Sequence, residues 1–186
     1  MKASRIVSFL AMGIWWVSLP AFSKNSAFTD RDRKILSELS KASQEEVSLG
    51  NLAVKKATDS EVKAFGEQMV RDHTHLLSET QKLASRENIP LLPAFSKQDE
   101  AMKISLSRRS GKDFDRHYIQ GMLEDHKKDI QELQSYAETT VNPEMRDLAK
   151  RALPILENHI RTAENVAGHI GVSADKGLMS SGAPPS

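Results

Sequence analysis

The sequence predicts an all-α protein, and three observations support this fold class. Apolar residues recur at spacings of three and four over long stretches, which is the periodicity of helices with one buried face. Glycine and proline, which interrupt helices, gather in a few short segments between these stretches. The chain has no cysteine, so disulfides and thiolate metal sites are excluded and packing must stabilise a single core.

The first residues are typical of a secretory signal. Lys2 and Arg5 precede an apolar run at 6–19, which is too short to span a bilayer. Small residues follow it, and cleavage is expected after Ser23. Residues 1–23 are therefore predicted to be a signal peptide, and the mature protein is predicted to be periplasmic or secreted, without a membrane span.

Charge gives little support to a polyanionic partner. The whole chain has 26 basic and 25 acidic residues, and no block of one sign stands out. Removal of Lys2 and Arg5 would leave the mature chain close to neutral, so we expect no nucleic-acid binding. The sequence leaves open whether the protein forms a homo-oligomer.

Four long helices are predicted, each with a recognisable start. They are expected at about 30–57, 59–87, 112–139 and 143–168. The starts are marked by Thr29 with Asp32, Thr58 with Glu61, Ser110 with Asp113, and Asn142 with Pro143. Pro154 lies inside the fourth helix, where it predicts either a kink or a break into two shorter helices.

The connection between the second and third helices is long. It covers 90–111, and a short helix is expected inside it at roughly 97–108. Two helices, a crossover and two more helices describe a ferritin-like four-helix bundle, here over 28–168. An up-and-down bundle with a decorated loop is the alternative. Residues 169–186 are small and polar and are predicted to be a disordered tail.

Each long helix carries one polar residue on its otherwise apolar stripe. These residues are Glu46, His73, His126 and His159. Glu46 lies about 12 residues before the first turn and His73 about 15 after it, so their levels differ by only about 4–5 Å. The second helix pair gives a similar count, and we expect all four side chains to meet near the middle of the bundle.

Buried polar side chains need partners, because each unpartnered group costs about 1–3 kcal/mol. The four should therefore satisfy one another or bind a metal. One carboxylate and three imidazoles suit a single divalent transition-metal ion, either zinc, copper or iron. The alternative is a metal-free structural or stress-related interaction protein, in which the same residues form a hydrogen-bonded network.

A repeated pattern supplies further candidate residues. Methionine, an aliphatic residue, a charged residue, aspartate and histidine occur in this order at 69–73 and again at 122–126. Met69 and Met122 are possible additional ligands, although buried methionine is more often core filler. Asp72, Asp115 and Asp125 could orient imidazole nitrogens, although such residues are more often solvated or capping groups.

The ligand pattern also bears on catalysis. A ferritin-type di-iron site needs a glutamate three residues before histidine, whereas Val70, Leu123 and Leu156 hold those positions. A closed site with four protein ligands favours structural binding, storage or sensing over catalysis. No catalytic residue is predicted. An enzyme, if the protein is one, would be a metal-dependent oxidase or a peroxide-consuming protein.

Several motifs together resemble a known bacterial family of unknown function. They are Glu45–Gly50, Met69–His73, Phe114–Tyr118 leading to Asp125 and His126, and Leu153–Pro154 leading to His159. Members of that family are exported, are often described as outer-membrane proteins and are assigned to the ferritin-like superfamily. The resemblance covers about 28–167 and implies a fold and a compartment, without an activity.

Part of the pattern is also similar to a smaller exported family that has a Met-His-His motif and is implicated in copper handling. This sequence shares Met122 and His126 but has Asp125 at the place of the first histidine.

Overall fold

The computed structural model of the chain describes residues 27–91 and 97–172. Within these ranges it contains five helices and no strand. They are α1 (Asp30–Lys56), α2 (Ser60–Arg86), α3 (Lys97–Ser107), α4 (Gly111–Thr139) and α5 (Pro143–His169). The all-α prediction is confirmed, and none of the described helices combines the length and apolarity of a membrane span. The predicted signal peptide lies outside the described residues.

Two of the predicted helix starts are confirmed. At α1, the Thr29 hydroxyl accepts from the backbone N–H of Asp32, whose carboxylate accepts from the backbone N–H of Thr29. At α5, the Asn142 side chain accepts from the N–H groups of Glu144 and Met145, with proline at the first helical position. These contacts satisfy backbone donors that have no partner within the helix.

The other two starts differ from the prediction. Asp59 caps α2 instead of Thr58, because the backbone N–H and hydroxyl of Thr58 are both bound by Asp115. Ser110 occupies the cap position of α4, but its side chain makes no capping hydrogen bond. Gly111 follows with a φ of 58°, a left-handed conformation that glycine adopts without a steric penalty.

The long helices form two antiparallel hairpins. Three residues join α1 to α2, and three join α4 to α5. Close approach of α1 and α2 requires glycine: a Cβ atom at Gly50 would lie 2.8 Å from the carbonyl oxygen of Gly66. Helix α2 also packs on α5, whereas α1 and α4 meet over only a short stretch. Because α1 and α4 contact each other so little, a groove lies between them.

The core is divided into two apolar clusters. One lies towards the α1–α2 turn and includes Phe65, Met69 and Met122. The other lies towards the α4–α5 turn and includes Leu76 and Leu156. All four long helices contribute to both clusters, and the histidines predicted for the site fall between them along each helix.

The remaining sequence predictions have mixed outcomes. The short helix expected in the long connection is present as α3. Helix α5 runs without interruption past Pro154, so a break into two helices is wrong. It ends at His169, one residue beyond the predicted domain boundary, and Val172 packs against the core. The rest of the predicted tail lies outside the described residues.

Candidate metal centre

Three histidines from three helices converge in the layer between the two apolar clusters. His73 lies on α2, His126 on α4 and His159 on α5, and each is at least 96 % buried. Their ring centroids form a triangle with sides of 5.6, 5.2 and 5.2 Å. One nitrogen from each ring lies within 4.8 Å of the other two. Sequence periodicity thus predicted this convergence correctly.

Two of the rings are fixed from outside the triangle. The Nδ1–H of His126 donates to the carbonyl oxygen of Met122, one helical turn earlier, at 3.0 Å. The Nε2 atom of His159 lies 2.9 Å from Oδ2 of Asp72 on α2. These contacts point Nε2 of His126 and Nδ1 of His159 into the triangle, where they lie 3.2 Å apart.

His73 has no comparable anchor. Neither of its ring nitrogens has a hydrogen-bond partner, although the side chain is buried. A neutral imidazole carries one N–H donor and one lone pair, so both requirements go unmet here. Such a group is costly in an apolar core unless something else binds it.

Burial keeps the three imidazoles neutral. Burial and, to a smaller extent, the neighbouring His159 lower the pKa of His126 to about 3, although the hydrogen bond to the Met122 carbonyl acts in the opposite direction. Burial, with help from the other two histidines, also lowers the pKa of His73. The pKa of His159 is lowered by burial, although its contact with Asp72 acts in the opposite direction. Neutral imidazole is the form that binds metal ions.

Glu46 lies beside the triangle instead of completing it. Its Oε1 atom is 4.0 Å from Nδ1 of His126, the nitrogen already bound to the Met122 carbonyl. Its Oε2 atom is buried and has no hydrogen-bond partner. Burial raises the pKa of Glu46 well above the usual value, and the charges of Asp125, Asp129 and Glu45 raise it further. The expected meeting of four side chains is therefore observed for the three histidines only.

The other predicted site residues have separate places. Asp72 contacts His159 as an orienting carboxylate would. Asp115 is 98 % buried away from the cluster and fixes the α1–α2 turn through the backbone of Thr58 and Asp59. Met69 and Met122 pack in the apolar cluster towards that turn. Asp125 lies on the groove beside Glu46.

Sequence reasoning missed two residues near Glu46. Burial, together with the charges of Asp125 and Glu132, raises the pKa of Asp129 to about 6, although the charge of Lys128 acts in the opposite direction. Tyr118 is fully buried, and its hydroxyl has no hydrogen-bond partner. Tyr118 could have been found, because a tyrosine on an apolar stripe brings a polar group into the core. Asp129 carries no such signal, since it belongs to a run of charged residues.

Comparison with known proteins assigns the chain to a family. A family model described as "Domain of unknown function (DUF4142)" matches residues 17–166. The chain belongs to this family. The predicted likeness to a family of unknown function is confirmed, whereas the ferritin-like and outer-membrane descriptions of it stay predictions. No curated protein matches this DUF4142 chain.

Solved structures similar to the DUF4142 chain share its helical fold. A DUF305 fragment from Deinococcus radiodurans has a TM-score of 0.70 at 15 % identity, covering 77 % of this chain and 99 % of the fragment. CopM in its Cu(I)-bound and Cu(II)-bound forms gives TM-scores of 0.62 and 0.63 at 18 % identity, covering 74 % of this chain and 96 % of CopM. At these identities the likeness shows the fold alone.

Proposed function

We propose that this DUF4142 protein binds one transition-metal ion between His73, His126 and His159, for storage or sensing of the ion. The observation that carries this proposal is the pair of nitrogens in the middle of the site, Nε2 of His126 and Nδ1 of His159, 3.2 Å apart.

The protonation of these rings supports a cation between them. His126 uses its proton at Nδ1 to bond the Met122 carbonyl, so Nε2 carries a lone pair. A neutral His159 that donates to Asp72 from Nε2 likewise presents a lone pair at Nδ1. Two lone pairs facing each other repel, and a positive ion bound to both removes the conflict.

The spacing also fits coordination. Nitrogens bound at 2.0–2.1 Å to a tetrahedral zinc ion lie about 3.3 Å from each other. The observed separation of 3.2 Å is close to that value. His73 adds a third nitrogen within reach and would gain a partner for an otherwise unmatched lone pair. Asp72 would fix the orientation of His159.

The second candidate function is that of a metal-free structural or stress-related interaction protein, in which the histidines form a hydrogen-bonded network. This network requires His159 to be an imidazolium that donates to both Asp72 and His126. Burial opposes this state by lowering the pKa of His159. The network also leaves both nitrogens of His73 without partners, which is the stronger objection.

Several ions suit three neutral imidazoles, and copper is the first to test. Zinc, copper and iron all accept this ligand set. CopM, which shares the fold, was solved in copper-bound forms, and this favours copper over the other two. Three protein ligands would leave a position for water or another donor, and we propose no reaction there.

Two further parts of the proposal concern export and topology. The proposed signal at residues 1–23 would deliver the protein to the periplasm or the medium. The long connection between α2 and α4, which contains α3, supports a ferritin-like crossover among the four long helices.

Metal analysis of untagged protein tests the central proposal. The metal-free protein is titrated separately with Cu(II) and Zn(II), and bound metal is measured after gel filtration. His126→Gln is compared with His75→Gln, a matched control on α2 whose side chain is 68 % exposed. We expect one ion per chain for the wild type and His75→Gln, and at least a tenfold weaker affinity for His126→Gln.

Circular dichroism establishes that both variants are folded. Equal binding by His126→Gln and His75→Gln would contradict the site. Absence of binding by the wild type, with no rise in its melting temperature, would favour the hydrogen-bonded network.

A further inference from the structure

Helix α3 is attached to the bundle by a small apolar face. It packs on α1 and α4 over only short stretches. Of residues 101–107, only Met102 and Leu106 are withdrawn from solvent, and their spacing of four places them on one face of the helix. Leu106 belongs to the apolar cluster towards the α1–α2 turn, and Met102 packs against that cluster. These two side chains are the apolar attachment of this part of α3, and Lys56 adds a hydrogen bond to the carbonyl of Ser107.

Met102 occupies a space that Gly121 of α4 leaves open. A Cβ atom at Gly121 would overlap the terminal methyl group, Cε, of Met102, and it would lie 3.9 Å from the sulfur. Glycine is less favourable than alanine in the interior of a helix, and Gly121 lies well inside α4. The close approach of Met102 explains why glycine is suited to this position. An oxygen atom on the sulfur would need additional space and a hydrogen-bond donor at this apolar contact.

The side chain of Met102 is also open to solvent. Of the four methionines in the described ranges, Met102 alone is only partly buried, and it lines the groove between α1 and α4. The other three are at least 99 % buried in the core, and they are Met69, Met122 and Met145. Oxidants convert accessible methionine to its sulfoxide. We therefore expect an oxidant to react at Met102 before it reaches the core methionines.

We propose that Met102 is an oxidation site at which hydrogen peroxide reversibly releases α3 from α4. A lone pair of the thioether sulfur attacks one peroxide oxygen, so that an S–O bond forms and the O–O bond breaks. The proton of the attacked oxygen passes to the leaving hydroxide, which departs as water. The sulfur is oxidised by two electrons, and the peroxide is reduced. The inference goes beyond the proposed function and needs no metal ion.

Loss of the Met102 contact should release α3 while the long helices keep their packing. The sulfoxide is polar, so it favours water over the apolar contact at Gly121. The two hairpins are joined through α2 and α5, and α3 takes no part in that contact. Methionine sulfoxide reductases return the sulfoxide to the thioether, and this reduction restores the attachment. Helix α3 thus responds to an oxidant without damage to the core.

Peroxide treatment followed by mass spectrometry tests the proposal. The purified protein is treated with hydrogen peroxide in the presence of a metal chelator, and sulfoxide is measured at each methionine. We expect Met102 to be oxidised about tenfold faster than the core methionines. Hydrogen exchange of the oxidised protein should be about tenfold faster in residues 101–107 and unchanged in α1, α2 and α5. Treatment with methionine sulfoxide reductases should return the exchange of residues 101–107 to its original rate.

Three variants locate the effect at Met102. Met102→Leu keeps an apolar side chain of similar volume but has no sulfur, so peroxide should leave the exchange of α3 unchanged. Met102→Gln carries a polar group towards the end of the side chain, as the sulfoxide does, and should speed the exchange of residues 101–107 without peroxide. Ile104→Gln is the matched control and should have no effect, because Ile104 is already 48 % exposed on the same helix.

Four results would each overturn the inference. If Met102 is oxidised no faster than the core methionines, the groove does not expose its sulfur. If residues 101–107 exchange equally fast before and after oxidation, Met102 does not hold α3 on the bundle. If peroxide speeds exchange in Met102→Leu as in the wild type, another residue responds to it. Faster exchange in all helices at once would show global unfolding instead of local release. None of these results bears on metal binding by the three histidines.

Discussion

Asp72 on α2 contacts the ring of His159 on α5, with 2.9 Å between Oδ2 of the carboxylate and Nε2 of the imidazole. The contact joins the two helix hairpins at the level of the histidine cluster. It also determines which nitrogen of His159 faces the other rings. A partly exposed residue thus controls the orientation of a buried one.

Removal of this contact should weaken metal binding without unfolding the protein. We expect Asp72→Ala to reduce metal affinity by about 10–100-fold, because the imidazole loses its fixed orientation and basicity. Isothermal titration with the preferred ion measures the effect. Asp147→Ala, on the exposed surface of α5, is the control and should bind normally. Equal affinities for the two variants would contradict the role of Asp72.

The stability of the metal-free protein should depend on pH through the histidines. The folded-state pKa of His126 is about 3, whereas in the unfolded chain it is about 6.5. Below pH 6.5 the unfolded state therefore binds more protons, and the free energy of unfolding falls as pH decreases. His126 alone should contribute a loss of about 2 kcal/mol between pH 6.5 and 5.

Glu46 acts with the opposite sign. The pKa of Glu46 is higher in the folded state than in the unfolded chain. Its contribution to the free energy of unfolding is therefore fully present at pH values below the unfolded-state pKa, and it is lost as pH rises through the folded-state pKa. Urea unfolding with a chelator between pH 5 and 8 separates the two groups: His126→Gln should flatten the pH dependence, and Glu46→Gln should make stability rise more steeply with pH. If the difference in the free energy of unfolding between His126→Gln and the wild type is the same at every pH, that result would contradict the burial of a neutral imidazole.

A second buried network, at the end of the bundle near the α4–α5 turn, should be important for stability alone. The carboxylate of Asp32 accepts hydrogen bonds from the hydroxyls of Tyr136 and Thr140 and from Thr29. We expect Tyr136→Phe to destabilise the fold by about 1.5–3 kcal/mol, because a hydrogen bond to a charged group is lost. Urea unfolding measures this loss, and metal affinity should not change.

The same network predicts acid sensitivity. Burial alone would raise the pKa of Asp32, but the hydrogen bonds from Tyr136, Thr29 and Thr140 outweigh it and lower the pKa. The stabilisation by Asp32 is therefore present at pH values above its pKa in the unfolded chain, and it is lost as pH falls through its pKa in the folded protein. The difference between Tyr136→Phe and the wild type should shrink below about pH 4. A constant difference at all pH values would contradict an ionised Asp32.

The glycine pair between α1 and α2 gives a prediction about packing. Gly50→Ala should destabilise the protein by about 1–3 kcal/mol, because the new Cβ atom would lie 2.8 Å from a backbone oxygen of α2. Gly168→Ala in α5 is the control, since no atom lies within 4 Å of its Cβ position. Thermal unfolding compares the two. A Gly50→Ala protein as stable as Gly168→Ala would contradict the close helix approach.

Sequence periodicity predicted the parts of the structure that depend on repeated spacing. His73, His126 and His159 each replace an apolar residue on a buried stripe, so helix geometry alone placed them in the core. Asn142 with Pro143 marked the start of α5, because asparagine is a preferred cap residue and proline is favoured at the first helical position. Local rules of this kind need no knowledge of the neighbouring helices.

The errors concern side chains whose partners are distant in the sequence. Thr58 looked like a helix cap, but Asp115 of α4 binds it instead, so Asp59 takes over. Glu46 shares the level of the histidines, yet its direction depends on how far α1 lies from α4. That separation follows from tertiary packing, which the apolar pattern of a single helix does not specify.

Anomalous X-ray diffraction from crystals of the copper-loaded protein is the most direct test of the metal centre. The account predicts one strong peak at the copper edge, within about 2.0–2.1 Å of one nitrogen from each of His73, His126 and His159. Strong peaks found only at exposed histidines such as His75 and His117, with the buried triangle empty, would contradict it.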